Sequence, residues 1–191
     1  MRKVLLLGAT IMIVAFGFQL RSNTQTKPAP ERQENKVAPL ILTPEEPKAV
    51  ATDSGTVRFL AGSENTNGAF ATLELTEREY VTDLHRHNFT DEAYYVLEGT
   101  LTVYLGGKIH KLGPGSYIFI PKGTPHAQGN LEKTPVKVLL TVTPGGFEGF
   151  MKDRAELIKR TPRGTPEFTK RIYEIVKKYD LERVGDSPLE K

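Results

Sequence analysis

Cysteine is absent from the chain. Its absence excludes disulfides, thiolate metal sites, cysteine nucleophiles and lipidation on an N-terminal cysteine. Tryptophan is absent too, and there are only four histidines. Neither sign of charge dominates: 26 basic residues stand against 23 acidic ones, for a formal net charge of +3, and no dense basic block occurs. A nucleic-acid surface needs a clustered basic stripe, so nucleic acid is not an expected partner. Hydrophobic residues make up 38% of the 191, which supports a packed core over part of the chain only.

Turn formers are plentiful. The 17 glycines and 13 prolines suit an all-β domain with many short connections. From Thr56 onward the hydrophobic pattern has a period of two, and segments 56–60, 69–76, 80–87, 93–97, 100–105, 108–112, 116–120 and 136–143 read as strands. Gly106-Gly107 is expected to form a two-residue hairpin turn, with further turns at Gly113-Pro114-Gly115 and Pro121-Lys122-Gly123. Close, regular spacing of strands implies a sandwich or barrel of the jelly-roll type.

The flanks differ in kind. Arg2 and Lys3 precede an apolar run from Val4 to Leu20, the pattern of an export signal. Ala15-Phe16-Gly17 offers small residues at a cleavage interval, with Leu20-Arg21-Ser22 a weaker site. The alternative is an uncleaved anchor, since the run is at the short edge of what spans a bilayer. Either way the folded part is expected outside the cytoplasm, periplasmic, extracellular or tethered outward, with membrane contact only through this segment. Pro28, Pro30, Pro39, Pro44 and Pro47, set among polar residues, mark an extended tether. After Pro144-Gly145-Gly146, helical signals cover Lys152 to Arg160 and, more strongly, Glu167 to Asp180, with Thr165 as N-cap and Pro166 at the first helical position. Phe168, Ile172, Ile175, Val176 and Tyr179 form one apolar face, expected to pack on the outside of the barrel, and Gly185 to Lys191 reads as a loose tail. The expected layout is thus a signal or anchor at 1–22, a linker at 23–50, a barrel at 51–148 and a helical extension at 149–191. Homodimerisation through open barrel edges is a further expectation.

The chemistry concentrates in two blocks. The first is His85-Arg86-His87, then Glu92, then Gly99; the second is Gly115, Pro121-Lys122-Gly123-Thr124-Pro125-His126 and Asn130. Three imidazoles and a carboxylate are a ligand set for a divalent transition metal, with iron, manganese, nickel, copper and zinc all compatible. His85 and His87 are two apart, so on a strand they share a face. Glu92 follows across a short turn, and His126 arrives on a later strand. Four ligands on a six-coordinate ion leave two positions open, whereas a four-coordinate zinc would be closed. Asp83 reads either as a partner for a ligating imidazole or as an exposed carboxylate. Tyr94 should point inward with Glu92. Of the pairs Ile118/Ile120 and Tyr117/Phe119, one must line the barrel. His110 falls outside both blocks and is expected to play no part.

The double block resembles the motifs of the cupin superfamily. The second motif matches at every fixed position from Gly115 to Asn130. The first matches at His85, His87, Glu92 and Gly99 but not at its leading glycine, where Glu79 stands. The resemblance implies a single jelly-roll barrel with the metal bound by His85, His87, Glu92 and His126. Asp91 to Gly99, and Pro144 to Phe150 followed by a helix, are similar to small single-barrel members of the quercetin-dioxygenase-like group. Three functions follow as expectations. One is a metal-dependent dioxygenase on a small phenolic or enol-like substrate, with Glu92 as general base. The second is a non-catalytic binder of a small molecule or sugar. The third is a non-redox isomerase or decarboxylase.

Overall fold

The computed structural model describes residues 37–189, so the expected signal or anchor at 1–22 and the first part of the linker lie outside the described residues. Twelve strands and three helices follow in chain order: β1 (Val50–Ala51), β2 (Gly55–Ala61), α1 (Ser63–Thr66), β3 (Ala71–Glu77), β4 (Tyr80–Val81), β5 (Leu84–His87), β6 (Asp91–Glu98), β7 (Leu101–Leu105), β8 (Lys108–Leu112), β9 (Tyr117–Ile120), β10 (His126–Asn130), β11 (Val136–Thr143), α2 (Glu148–Arg160), α3 (Pro166–Lys178) and β12 (Leu181–Gly185). No helix among the described residues is long and apolar enough to cross a membrane.

The strands form two antiparallel sheets, as a jelly roll requires. One runs β1-β2-β3-β11-β6-β9; the other runs β12-β5-β10-β7-β8, with β4 also paired to β10. Alternation decides which side chains meet between them. β3 buries Ala71, Leu73, Leu75 and Glu77 in turn, and β11 buries Val136, Val138, Leu140 and Val142. These pack with Val96 of β6 and with Leu101 and Val103 of β7 into one core. On β9 the same rule resolves the open pair: Ile120 is buried and Ile118 packs on the core, while Tyr117 and Phe119 face outward.

The turn chemistry matches the sequence. Gly106 and Gly107 join β7 to β8 with φ of 60° and 78°, as a type I′ hairpin demands. Asn130, the last residue of the second block, is fully buried. Its Nδ2 donates to the carbonyls of Glu77 (3.2 Å) and Thr134 (2.9 Å), and its Oδ1 accepts from the Glu132 amide (2.9 Å). It thus ties the β10–β11 loop to the end of β3. At the missing leading glycine, Glu79 needs no left-handed backbone: among described non-glycine residues only Asn67 and Asp180 have positive φ.

Four expectations change. The linker expected to run to residue 50 ends earlier. Arg58 donates to the carbonyls of Thr43, Glu46 and Pro47, and β1 pairs with β2. The helical extension at 149–191 ends in a strand, β12, which pairs with β5. The tail beyond Gly185 is not loose through residue 189, since Ser187 and Leu189 are buried. Helix α3 begins as expected, with Thr165 Oγ1 accepting from the Phe168 amide at 3.2 Å. Its apolar face, however, meets α2 and β12 and borders the barrel's internal cavity instead of lying on the outer wall.

Gly99 shows how one residue locks the site strand in register. It follows β6 with φ of 73°, and an added Cβ would run into the Pro135 carbonyl and Val136 Cα. Gly115 has φ of 85° but open space around it. Gly99→Ala should therefore cost about 2–4 kcal/mol, and Gly115→Ala only about 1 kcal/mol. Denaturant midpoints check this, and equal losses would contradict it.

Candidate metal centre

His85 and His87 occupy alternate positions on β5, so both enter the space between the sheets, at 4% and 2% exposure. Between them Arg86 turns outward and forms a two-pronged contact with Glu182 of β12 (3.0 and 2.9 Å). His126 opens β10 directly opposite His85. Glu92 comes from β6 in the other sheet. Each of the four contributes one donor atom, and those atoms lie within 4.8 Å of one another. Glu92 Oε2 is 3.0 Å from His126 Nε2, and Glu92 Oε1 is 3.6 Å from His87 Nε2.

The backbone chooses the tautomer of every imidazole. Nδ1 of His85 meets the Asp83 carbonyl at 2.8 Å, Nδ1 of His126 the Thr124 carbonyl at 2.9 Å, and Nδ1 of His87 the Asp180 carbonyl at 3.0 Å. A carbonyl only accepts, so each Nδ1 carries the proton and each Nε2 is directed inward as a potential ligand. Buried His87 Nε2 has no hydrogen-bond partner at all. A buried nitrogen lone pair is costly unless something meets it. Together with Glu92 and the other two imidazoles, it fits a divalent transition metal.

The electrostatics follow from this crowding. Burial, reinforced by the nearby His126, pushes His85 down to about 4. Burial acts on His126 in the same sense, but the hydrogen bond and charge of Glu92 hold it above its ordinary value. Burial alone would raise the Glu92 carboxyl, but the hydrogen bond from His126 and the surrounding imidazoles bring it below the ordinary range.

The C-terminal extension completes the surround. Asp180, in the left-handed conformation after α3 (φ 57°), supplies the carbonyl that orients His87. Its carboxylate accepts from the amides of Asn88 (3.0 Å) and Phe89 (2.6 Å), closing the loop between His87 and Glu92. Phe147 sets its ring edge-on to His87, with centroids 5.0 Å apart, and stacks on Phe150. Asp83 holds His85 through its backbone; its carboxylate instead pairs with Arg183 (2.7 Å) at the surface. Tyr94 points inward with Glu92, and its hydroxyl accepts from Gln128 Nε2 at 3.1 Å. His110 is exposed on β8 and takes no part. Sequence reasoning missed Asp180, Gln128 and Phe147. All three stood in segments already singled out, Phe147 in Pro144 to Phe150, Gln128 within Gly115 to Asn130 and Asp180 at the end of the expected helix, but none was itself expected at the site.

His85 and Glu92 open onto a cavity of about 580 Å³ with a largely apolar wall that includes Leu75, Leu140, Phe147, Phe150 and Met151. That volume lies in the range of small-molecule sites.

Near neutral pH the hydrogen bond and charge of Glu92 favour a proton on His126, which a metal must displace to use Nε2. His85 is already neutral there and has none to lose. Metal uptake near pH 7 should release up to about one proton, and affinity should fall as pH drops. Calorimetry in buffers of differing ionisation enthalpy measures this, and uptake that releases no proton would contradict the assignment.

The profile of the family described as "Cupin domain" (Cupin_2) matches residues 71–142. The chain is 29% identical over 116 residues to quercetin 2,3-dioxygenase of Bacillus subtilis, a match covering 60% of this chain and 34% of that protein. It is 32% identical over 79 residues to the tetracenomycin polyketide synthase protein TcmJ of Streptomyces glaucescens, covering 41% of this chain and 52% of that one. The chain thus spans about a third to a half of these curated relatives. The structure of KdgF from Halomonas sp. superposes with a TM-score of 0.52 at 20% identity, covering 59% of this chain and 99% of that one, a likeness of fold alone. The matched stretch holds both sequence blocks and all four clustered side chains within one jelly roll, and residues 71–142 are a cupin domain of the Cupin_2 type.

Proposed function

We propose that the chain is a metal-dependent dioxygenase acting on a small phenolic or enol-like substrate. The observation that carries this reading is the buried His85–His87–Glu92–His126 cluster opening onto an apolar cavity. The partial likeness to quercetin 2,3-dioxygenase supports it. A redox-active divalent metal held there would supply a Lewis acid and the electron exchange that dioxygen chemistry needs.

The chain's own groups do the rest. His85, His87 and His126 offer Nε2 lone pairs fixed by their Nδ1 hydrogen bonds. Glu92 is ionised despite its burial and borders the cavity. It is placed to take the proton of a substrate hydroxyl as general base, a role worth about 10²–10⁴-fold in rate. Phe147 and the apolar wall exclude water from the reacting end and accept a flat, weakly polar body. On the charge and hydropathy of the N-terminal segment, the barrel works outside the cytoplasm.

Protein reloaded separately with iron, manganese, nickel or copper should consume oxygen with at least one member of a broad phenolic panel. His126→Ala should lose both the metal and the uptake. Glu92→Gln should lower uptake by at least about a hundredfold while binding the phenol. Tight binding of phenols without oxygen uptake under every metal would assign the cavity to ligand capture instead.

A further inference from the structure

The cavity has a second polar end that the metal centre does not use. Glu77, at the end of β3, borders it at 4% exposure, and its Oε2 has no hydrogen-bond partner. Arg154 of α2 and Tyr80 of β4 border the same cavity. Arg154 is half-buried and anchored by Nη2 to Asp53 Oδ2 at 2.5 Å, and the Asp53 carboxylate also contacts Arg163. Burial pushes the Glu77 carboxyl up, with Ser54 and Arg154 pulling the other way. A structural carboxylate would be expected to spend both oxygens on neighbours, as Glu148 does on Ser63 and Gly146. Glu77, whose side chain borders the cavity, leaves one unspent.

The sheet register sets the distance between the two ends. On β10, His126 pairs with His85 while Asn130, four residues on, pairs with Tyr80. On β11, Val142 pairs with Glu92 and Val136 with Glu77. Those separations correspond to roughly 13 Å and 20 Å of strand, an upper bound once twist is allowed for. Between the ends the wall is mainly apolar, with Leu75, Leu140, Phe150, Met151 and Val176, and is interrupted by the hydrogen-bonded pair Tyr94 and Gln128. This suits a flat molecule of two or three rings better than a compact one.

The chemistry of the far end selects the group it takes. A carboxylate there would face Glu77, and an ammonium would face Arg154. A hydroxyl satisfies both, donating to the Glu77 carboxylate and accepting from the Arg154 guanidinium. We propose that the Glu77–Arg154 end is a recognition site for a phenolic hydroxyl carried at the end of an aromatic ligand remote from the His85–Glu92 pole. This rests on the aromatic-substrate reading above, but on its ligand class and not on oxygen chemistry.

The test uses full-length protein loaded with zinc, which is redox-silent, titrated under argon with 3-hydroxyflavone and with its 4′-hydroxy derivative. The native protein should bind the 4′-hydroxy compound at least about tenfold more tightly, as befits a hydrogen bond to charged groups. Glu77→Leu and Arg154→Leu should each abolish the preference while leaving 3-hydroxyflavone affinity within about threefold, and Glu77→Gln, which keeps an acceptor, should retain part of it. Thermal melts establish that each variant is folded, and the two leucine variants serve as independent arms. Equal affinity for the two compounds, binding of neither, or a preference that survives both leucine variants would overturn the proposal. A preference in protein that consumes no oxygen would leave this site standing and remove the dioxygenase reading.

Discussion

Three hydrogen bonds, each from an imidazole Nδ1 to a backbone carbonyl, are the constraint on which the rest of the structure depends. They turn His85, His87 and His126 so that every Nε2 faces one buried point. Without them the rings would be free to flip, and the cluster would be a set of polar side chains hidden at a cost. The carbonyls come from Asp83 beside β5, Thr124 in the turn before β10, and Asp180 beyond α3. Jelly-roll pairing brings the first two together through the His85–His126 register. The third needs the C-terminal extension to return across β5 as β12.

That return makes the extension part of the centre. Asp180 orients His87 with its carbonyl and pins the following loop with its carboxylate. Phe147 covers His87, and α2 and α3 supply Phe150, Met151, Arg154 and Val176 to the cavity wall. The barrel therefore fixes the donor set, and the extension fixes the size and polarity of what can reach it. One fold can serve different substrates by this division, because the extension varies the wall without disturbing the donors.

The sequence made the donors legible because their constraints are local. A two-residue spacing puts His85 and His87 on one face whatever else the chain does. Gly99, Gly115 and Gly123 advertise left-handed turns that few other residues accept. The strand pattern was readable wherever one face is buried, as in β3 and β11. It failed at β10, where all of His126 to Asn130 are buried and no alternation remains. It failed again at β12, whose half-exposed residues take strand form because β5 and Asp180 hold them, a pairing separated by about ninety residues of chain. Asp180 was invisible for the same reason. Of the two readings of Asp83, the exposed carboxylate holds for the side chain, which pairs with Arg183, while the contact to His85 is made by the backbone carbonyl, which residue type does not reveal.

The central claim is that His85, His87, Glu92 and His126 ligate one metal ion together. X-ray absorption at the metal edge of the loaded protein tests it most directly. The account predicts scattering from three imidazole rings plus light-atom oxygen ligands, falling to two rings in His87→Ala. A native spectrum with one imidazole or none, or one unchanged by that substitution, would contradict it.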